Sequence, residues 1–158
     1  MKRISIPIGT SGQELVYEPD VLRHFSRNRQ FSSPSKEAGG QLFAKFVGSS
    51  IRIVVATGPY PSDKRTRVSF APNRALENKE IRSMFKRGLH YIGDWHTHPE
   101  KRPKPSAIDV ASMRDCFQKS THRLNFFVLS IVGNEQARLC ISTMLCNQSA
   151  CILIDEQH

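Results

Sequence analysis

Gly93-Asp94-Trp95-His96-Thr97-His98-Pro99, followed by Ser106 and Asp109 beyond a basic, proline-interrupted stretch, decides how the rest of the chain is read. Side chains alternate between the two faces of a strand, so His96 and His98 point the same way and can reach one ion. Pro99 ends the strand because it has no N–H for the ladder. Asp109 offers a carboxylate from a second element. Two imidazoles and one carboxylate leave a coordination position open, the feature that separates a catalytic zinc site from a structural one. Asp94 shares the histidines' face and is a rival, either as ligand or as acceptor for an imidazole N–H. Three ligands along one strand would lie in a line, whereas a carboxylate from elsewhere encloses an ion, which favours Asp109. Ser106 with an acid three residues on also has the form of a capping box. The two readings are compatible, since the cap fixes the turn that aims Asp109.

Hydrolysis at such a site needs a base beside the metal. Zinc lowers the pKa of water to about 7, and a nearby carboxylate can take the proton and return it to the leaving amine. Glu14, Glu18, Glu37, Glu77, Glu80 and Glu100 are all candidates by chemistry. Glu37 is the most attractive because it precedes Gly39-Gly40 and an apolar strand, a setting that permits close backbone approach. An HExxH helix, the deaminase pair HxE and PCxxC, a GxSxG elbow and a phosphate-binding glycine loop are all missing from the sequence.

Outward from the motif, the chain reads as strands mixed with three helices. Strands are expected over 4–8, 14–17, 40–47, 51–57, 67–70, 90–98, 126–132 and 137–146, with one more over 151–154. Pro19 starts a helix through about residue 29, Asn73 caps one that ends before Gly88, and Ser106 begins one through about 119. The fold class is α/β (α+β): one domain over 1–158 with a mixed sheet flanked by helices.

The length and a hydrophobic fraction of 39% suit one globular core. No apolar run is long enough to span a bilayer, and the segment 1–7 lacks the apolar core of a signal peptide. A cytoplasmic protein without a membrane partner is the expectation. Cys116, Cys140, Cys146 and Cys151 form no CxxC pair and read as reduced core residues. The net charge of +9 points to acidic partners. Most of the basic clusters read as solvated faces, but Lys101, Arg102 and Lys104 follow the histidine motif directly and are candidate substrate-binding residues. Nucleic-acid binding is the alternative that charge alone suggests, and it would show as steeply salt-dependent affinity.

His96-Thr97-His98-Pro99, six residues, Ser106, two residues, Asp109 resembles the signature of the JAMM zinc isopeptidases, also called MPN-plus or JAB. Glu37-Ala38-Gly39-Gly40-Gln41-Leu42-Phe43 is similar to the family's upstream glutamate element, with Gly39 where a cysteine or other small residue is frequent. The resemblance implies a curved sheet related to the cytidine deaminase architecture. It further implies one Zn²⁺ held by His96, His98 and Asp109, Glu37 as general acid/base, and Ser106 as a stabiliser of the oxyanion. Family members cut after the C-terminal residue of ubiquitin-like proteins. The phrase 93–100 and the short form are most similar to the deconjugating peptidases of bacterial type II CBASS antiviral operons. That likeness implies the C-terminal tail of a CD-NTase and its conjugates as partners, with an E1/E2-like operon protein. A JAMM peptidase that processes sulfur-carrier proteins is the alternative enzyme. A non-catalytic scaffold is disfavoured because the ligand set is complete.

Overall fold

All six residues of Phe127-Val128-Leu129-Ser130-Ile131-Val132 are buried, because this strand lies mid-sheet with helices on both faces. Phe127, Leu129 and Ile131 pack with Met113 on one face, while Val128 and Val132 join Leu22, Phe25 and Trp95 on the other. The computed structural model describes residues 1–154. In chain order the elements are β1 (Ile4–Ile8), β2 (Gln13–Tyr17), α1 (Pro19–Arg27), β3 (Gly39–Val47), β4 (Ser50–Ala56), β5 (Lys64–Arg65), β6 (Phe70–Ala71), α2 (Arg74–Lys86), β7 (His90–Thr97), α3 (Ala107–Lys119), β8 (Phe127–Val132), β9 (Ile141–Cys146) and β10 (Cys151–Leu153). Eight strands form one sheet in the order β1-β2-β4-β3-β7-β8-β9-β10, and β5 pairs with β6. The β2–β4 and β7–β8 pairs are parallel and the rest antiparallel, so the sheet is mixed, as the sequence led us to expect. Among the described residues no helix is long and apolar enough to cross a membrane.

A bulge in β7 sets which side chains face the site. Against β3 the register runs Leu42↔Gly93 and then Phe43↔Tyr91, so Ile92 is the extra residue. Ile92 and Trp95 therefore share the α1 face, whereas Tyr91 packs with Phe127 on the other. Asp94 and His96 follow Tyr91 onto that second face. Gly93 permits the step: its φ is +151°, and a Cβ there would lie 1.8 Å from the Val128 carbonyl oxygen.

Three sequence expectations need correction. The strand over 67–70 is instead a hairpin, β5 and β6, closed by residues 66–69. Thr66 N–H donates to the Ser69 carbonyl at 3.0 Å and the two hydroxyls meet at 2.6 Å, local bonds that turn the chain where Val68 and Phe70 suggested a strand. The strand over 137–146 begins only at Ile141. Arg29 draws the carbonyls of Glu135 and Arg138 toward α1, at 2.7 and 3.4 Å, and holds that stretch off the ladder. Finally, Cys146 and Cys151 are not reduced: they are disulfide-bonded, facing each other across β9 and β10 with Cα atoms 4.0 Å apart. Cys116 and Cys140 are free.

Candidate active site

The cluster is built from three places in the fold. β7 carries His96, and the chain runs on past its end to His98, whose N–H donates to the Val132 carbonyl at 3.0 Å and so keeps the β course. α3 supplies Asp109 from its first turn. There Ser106 Oγ accepts the Asp109 N–H at 3.1 Å, and an Asp109 oxygen accepts the Ser106 N–H at 2.7 Å, a complete capping box. Glu37 arrives just ahead of β3, where Gly39 stands opposite His96 in the register. A Cβ at Gly40 would lie 1.8 Å from the Thr57 carbonyl oxygen, so only glycine lets this segment approach.

The donor atoms converge. Asp109 places Oδ1 3.2 Å from His96 Nε2 and Oδ2 3.2 Å from His98 Nε2. Glu37 Oε1 stands 3.9 Å from His96 Nε2. Donor atoms of Glu37, His96 and His98 all lie within 4.8 Å of one another, close enough to hold one metal ion. His96 Nε2 is buried and has no aligned hydrogen-bond partner, because its approach to Asp109 is close but misdirected. A buried imidazole nitrogen left this way costs on the order of 1–3 kcal/mol unless something binds it. A cation among these groups would relieve that cost.

The electrostatics divide the two carboxylates. Burial pushes the Glu37 carboxyl up, and the neighbouring histidines only partly oppose it. Burial also acts on Asp109, but the close approach of His96 and His98 and the Ser106 N–H outweigh it, holding that carboxyl well below the usual range. His98 is pushed up: burial works the other way and is overcome by Asp109.

These groups open into a cavity of about 380 Å³, which Ser106 also lines. Exposed Val68 and Ile108 form apolar parts of its wall, with Phe70 of β6 beside them. Arg74 and Glu77 of α2 and Asp94 form another part. Arg74 bridges Glu77 at 3.1 Å, and Asp94 accepts the Tyr91 hydroxyl at 2.9 Å. One Asp94 oxygen is thus committed to a tyrosine hydroxyl. Sequence reasoning named Asp94 and counted Glu77 among six candidate bases, but missed Arg74, for which no motif exists. Lys101, Arg102 and Lys104 are exposed and do not line this cavity. Arg102 and Lys104 line a neighbouring groove with Arg138, beside β9.

A mixed sheet with helices on both faces, and a His-His-carboxylate cluster where a central strand meets a helix N-terminus, defines a metal-binding α+β domain. The chain belongs to the family described as prokaryotic homologs of the JAB domain, whose model matches residues 19–144. This membership implies a metal ion, which the donor group above fits. A CD-NTase/cGAS isopeptidase of Escherichia coli (strain TW11681) is 30% identical over 101 residues, 62% of this chain and 65% of that protein. A protein of the same name from Pseudomonas aeruginosa (strain BWHPSA011 / Pa011) is 34% identical over 100 residues, 60% of this chain and 62% of that protein. The chain thus spans just under two thirds of these relatives' length. A solution structure of a protein from Desulfitobacterium hafniense superposes with a TM-score of 0.62 at 16% identity, covering 88% of each chain, a likeness of fold.

Proposed function

We propose that this protein is a zinc-dependent isopeptidase that removes a CD-NTase from the proteins to which its C-terminal tail is conjugated. One observation carries the reading: Asp109 sets one oxygen against each histidine Nε2, both at 3.2 Å, with a second, raised-pKa carboxyl alongside. Two ligands of a tetrahedral zinc, each about 2.1 Å from it, stand roughly 3.4 Å apart. Each Asp109 oxygen stands nearer that spacing from its own histidine nitrogen than Glu37 Oε1, at 3.9 Å, does from His96 Nε2. Asp109 is also the carboxylate held ionised, as a ligand must be. On this reading His96, His98 and Asp109 are the ligands and Glu37 is the free base. The relatives named CD-NTase/cGAS isopeptidase support the substrate class.

When bound, zinc supplies Lewis acidity and lowers the pKa of water to about 7. Glu37, buried and biased toward holding a proton, takes one from the attacking water and gives it to the departing amine. Ser106 Oγ already accepts the Asp109 N–H, so its own hydrogen is free to donate to the developing oxyanion. Val68, Phe70 and Ile108 give the tail's last residues an apolar wall. Lys101, Arg102 and Lys104, outside the cavity, act at longer range by attracting acidic segments of the conjugate. The setting is cytoplasmic, with an E1/E2-like protein making the conjugates that this domain reverses.

The test is intact-mass analysis after incubating the zinc-loaded chain with CD-NTase-tail conjugates and with Gly-Gly-ended fusions. A single cut after the CD-NTase terminal residue, lost with chelator and regained with zinc, is expected. Cutting confined to Gly-Gly fusions would move the substrate to ubiquitin-like or sulfur-carrier proteins. No cut anywhere with zinc fully bound would overturn the isopeptidase reading.

A further inference from the structure

Thr97 lies between the two histidines and faces the opposite side of the sheet, where it is fully buried. Its hydroxyl accepts the Ala38 N–H at 2.9 Å and donates to Gln30 Oε1 at 2.8 Å. The Thr97 N–H in turn donates to the Ala38 carbonyl at 2.8 Å. The residue after Glu37 is thereby clamped to the residue between His96 and His98 by two backbone bonds of Ala38.

Gln30 is itself 1% exposed, and its amide is satisfied by loops rather than by secondary structure. Nε2 donates to the Ser35 carbonyl at 3.1 Å and to the Arg67 carbonyl at 2.8 Å. The first belongs to the segment leading into Glu37 and the second to the turn between β5 and β6. The Gln30 carbonyl accepts the Asn134 side-chain N–H at 2.9 Å. The same hairpin grips Glu37 directly: Glu37 N–H donates to the Thr66 carbonyl at 2.7 Å, and Arg65 Nε of β5 donates to the Glu37 carbonyl at 2.7 Å. One buried amide thus ties together the histidine strand, the glutamate loop and the hairpin that walls the cavity.

We propose that Gln30, acting through Thr97, is a positioning residue that sets where the Glu37 carboxyl stands relative to the His96–His98 pair. This rests on the isopeptidase reading above. A polar strut is suited to the task because Glu37 comes from a loop, and a loop has no ladder of its own to fix it. A base displaced by about 1 Å costs on the order of 10²-fold in rate.

The test compares the full chain with Gln30→Met, Thr97→Val and Thr97→Ser, each loaded with zinc and assayed on the conjugate. Gln30→Met and Thr97→Val are expected to lose roughly 10- to 100-fold in kcat, with KM little changed and one zinc per chain retained. Thr97→Ser keeps the hydroxyl and is expected to stay near wild type. Gln30→Asn keeps an amide but withdraws it by one methylene, and replaces Gln30→Met should that variant not fold. Folded variants with wild-type kcat per bound zinc would overturn the proposal. Crystal structures of the zinc-loaded chain and of the zinc-loaded Thr97→Val and Gln30→Met variants separate this from the parent reading. Should wild type cleave nothing, a Glu37 carboxyl displaced relative to His96 and His98 in the variants still supports the strut, and an unmoved one refutes it.

Discussion

Ser106 and Asp109 cap each other: each backbone N–H is accepted by the other's side chain, at 2.7 and 3.1 Å. The cap holds the carboxylate rigid while both its oxygens face the histidines, so one short motif serves helix stability and the site together. Removing the Ser106 side chain separates these roles. Ser106→Ala is expected to destabilise the fold by about 1 kcal/mol, and Ser106→Gly by only a few tenths. Both should lose on the order of 10²-fold in kcat. Thermal melts beside turnover check this; a Gly variant that regains activity along with stability would reduce Ser106 to a cap.

Glu37 and Asp109 are expected to fail in different ways. Glu37→Gln retains zinc and loses roughly 10²- to 10⁴-fold in kcat, whereas Asp109→Ala loses zinc first. Metal content by mass spectrometry and kcat measured on the same preparations distinguish them. Equal zinc loss in both would make Glu37 a ligand.

The His98–Asp109 pair gives the metal-free protein a pH signature. His98 is raised, so its contribution to stability is fully present below its unfolded value of about 6.5 and disappears as pH rises through its folded value. Asp109 is depressed, so its contribution is present above about 3.9 and is lost as pH falls through its folded value. Urea unfolding of the apo protein should therefore show this pair's contribution at pH 5–6 and less of it at pH 9, with Asp109→Asn flattening the difference. Zinc must displace the His98 proton, so its affinity should climb with pH until His98 is neutral. Calorimetry in buffers of different ionisation enthalpy counts the released proton.

Lys101, Arg102 and Lys104 sit outside the cavity on the loop beyond the histidines. Neutralising all three is expected to raise KM severalfold at low salt and to change little at high salt, where screening removes their reach. A KM unmoved at every ionic strength would make them solvated bystanders.

Much of the site could be read in the sequence because its parts are close in the chain. His96, His98, Ser106 and Asp109 span one strand end and one helix start, a local pattern that became specific only when read together with the family resemblance. Glu37 was legible through the glycines beside it. Gln30 was not, since it meets Thr97 from 67 positions away and spends its donors on backbone carbonyls, which carry no residue identity. The Cys146–Cys151 bond depends on the register of β9 against β10, and a hairpin register is not written in cysteine spacing. The 66–69 turn misled because Val68 and Phe70 suit a strand, while side-chain bonds of Thr66 and Ser69 decided otherwise. The bulge at Ile92 was likewise invisible, although it puts Tyr91 on the site's side of the sheet.

The most direct measurement is anomalous diffraction at the zinc edge from crystals of the zinc-loaded protein. A single peak about 2.0–2.2 Å from both Nε2 atoms and an Asp109 oxygen, with Glu37 outside bonding distance, is expected. A peak bonded to Glu37 with Asp109 still turned into its cap, or no peak at these histidines, would contradict the assignment of ligands and base.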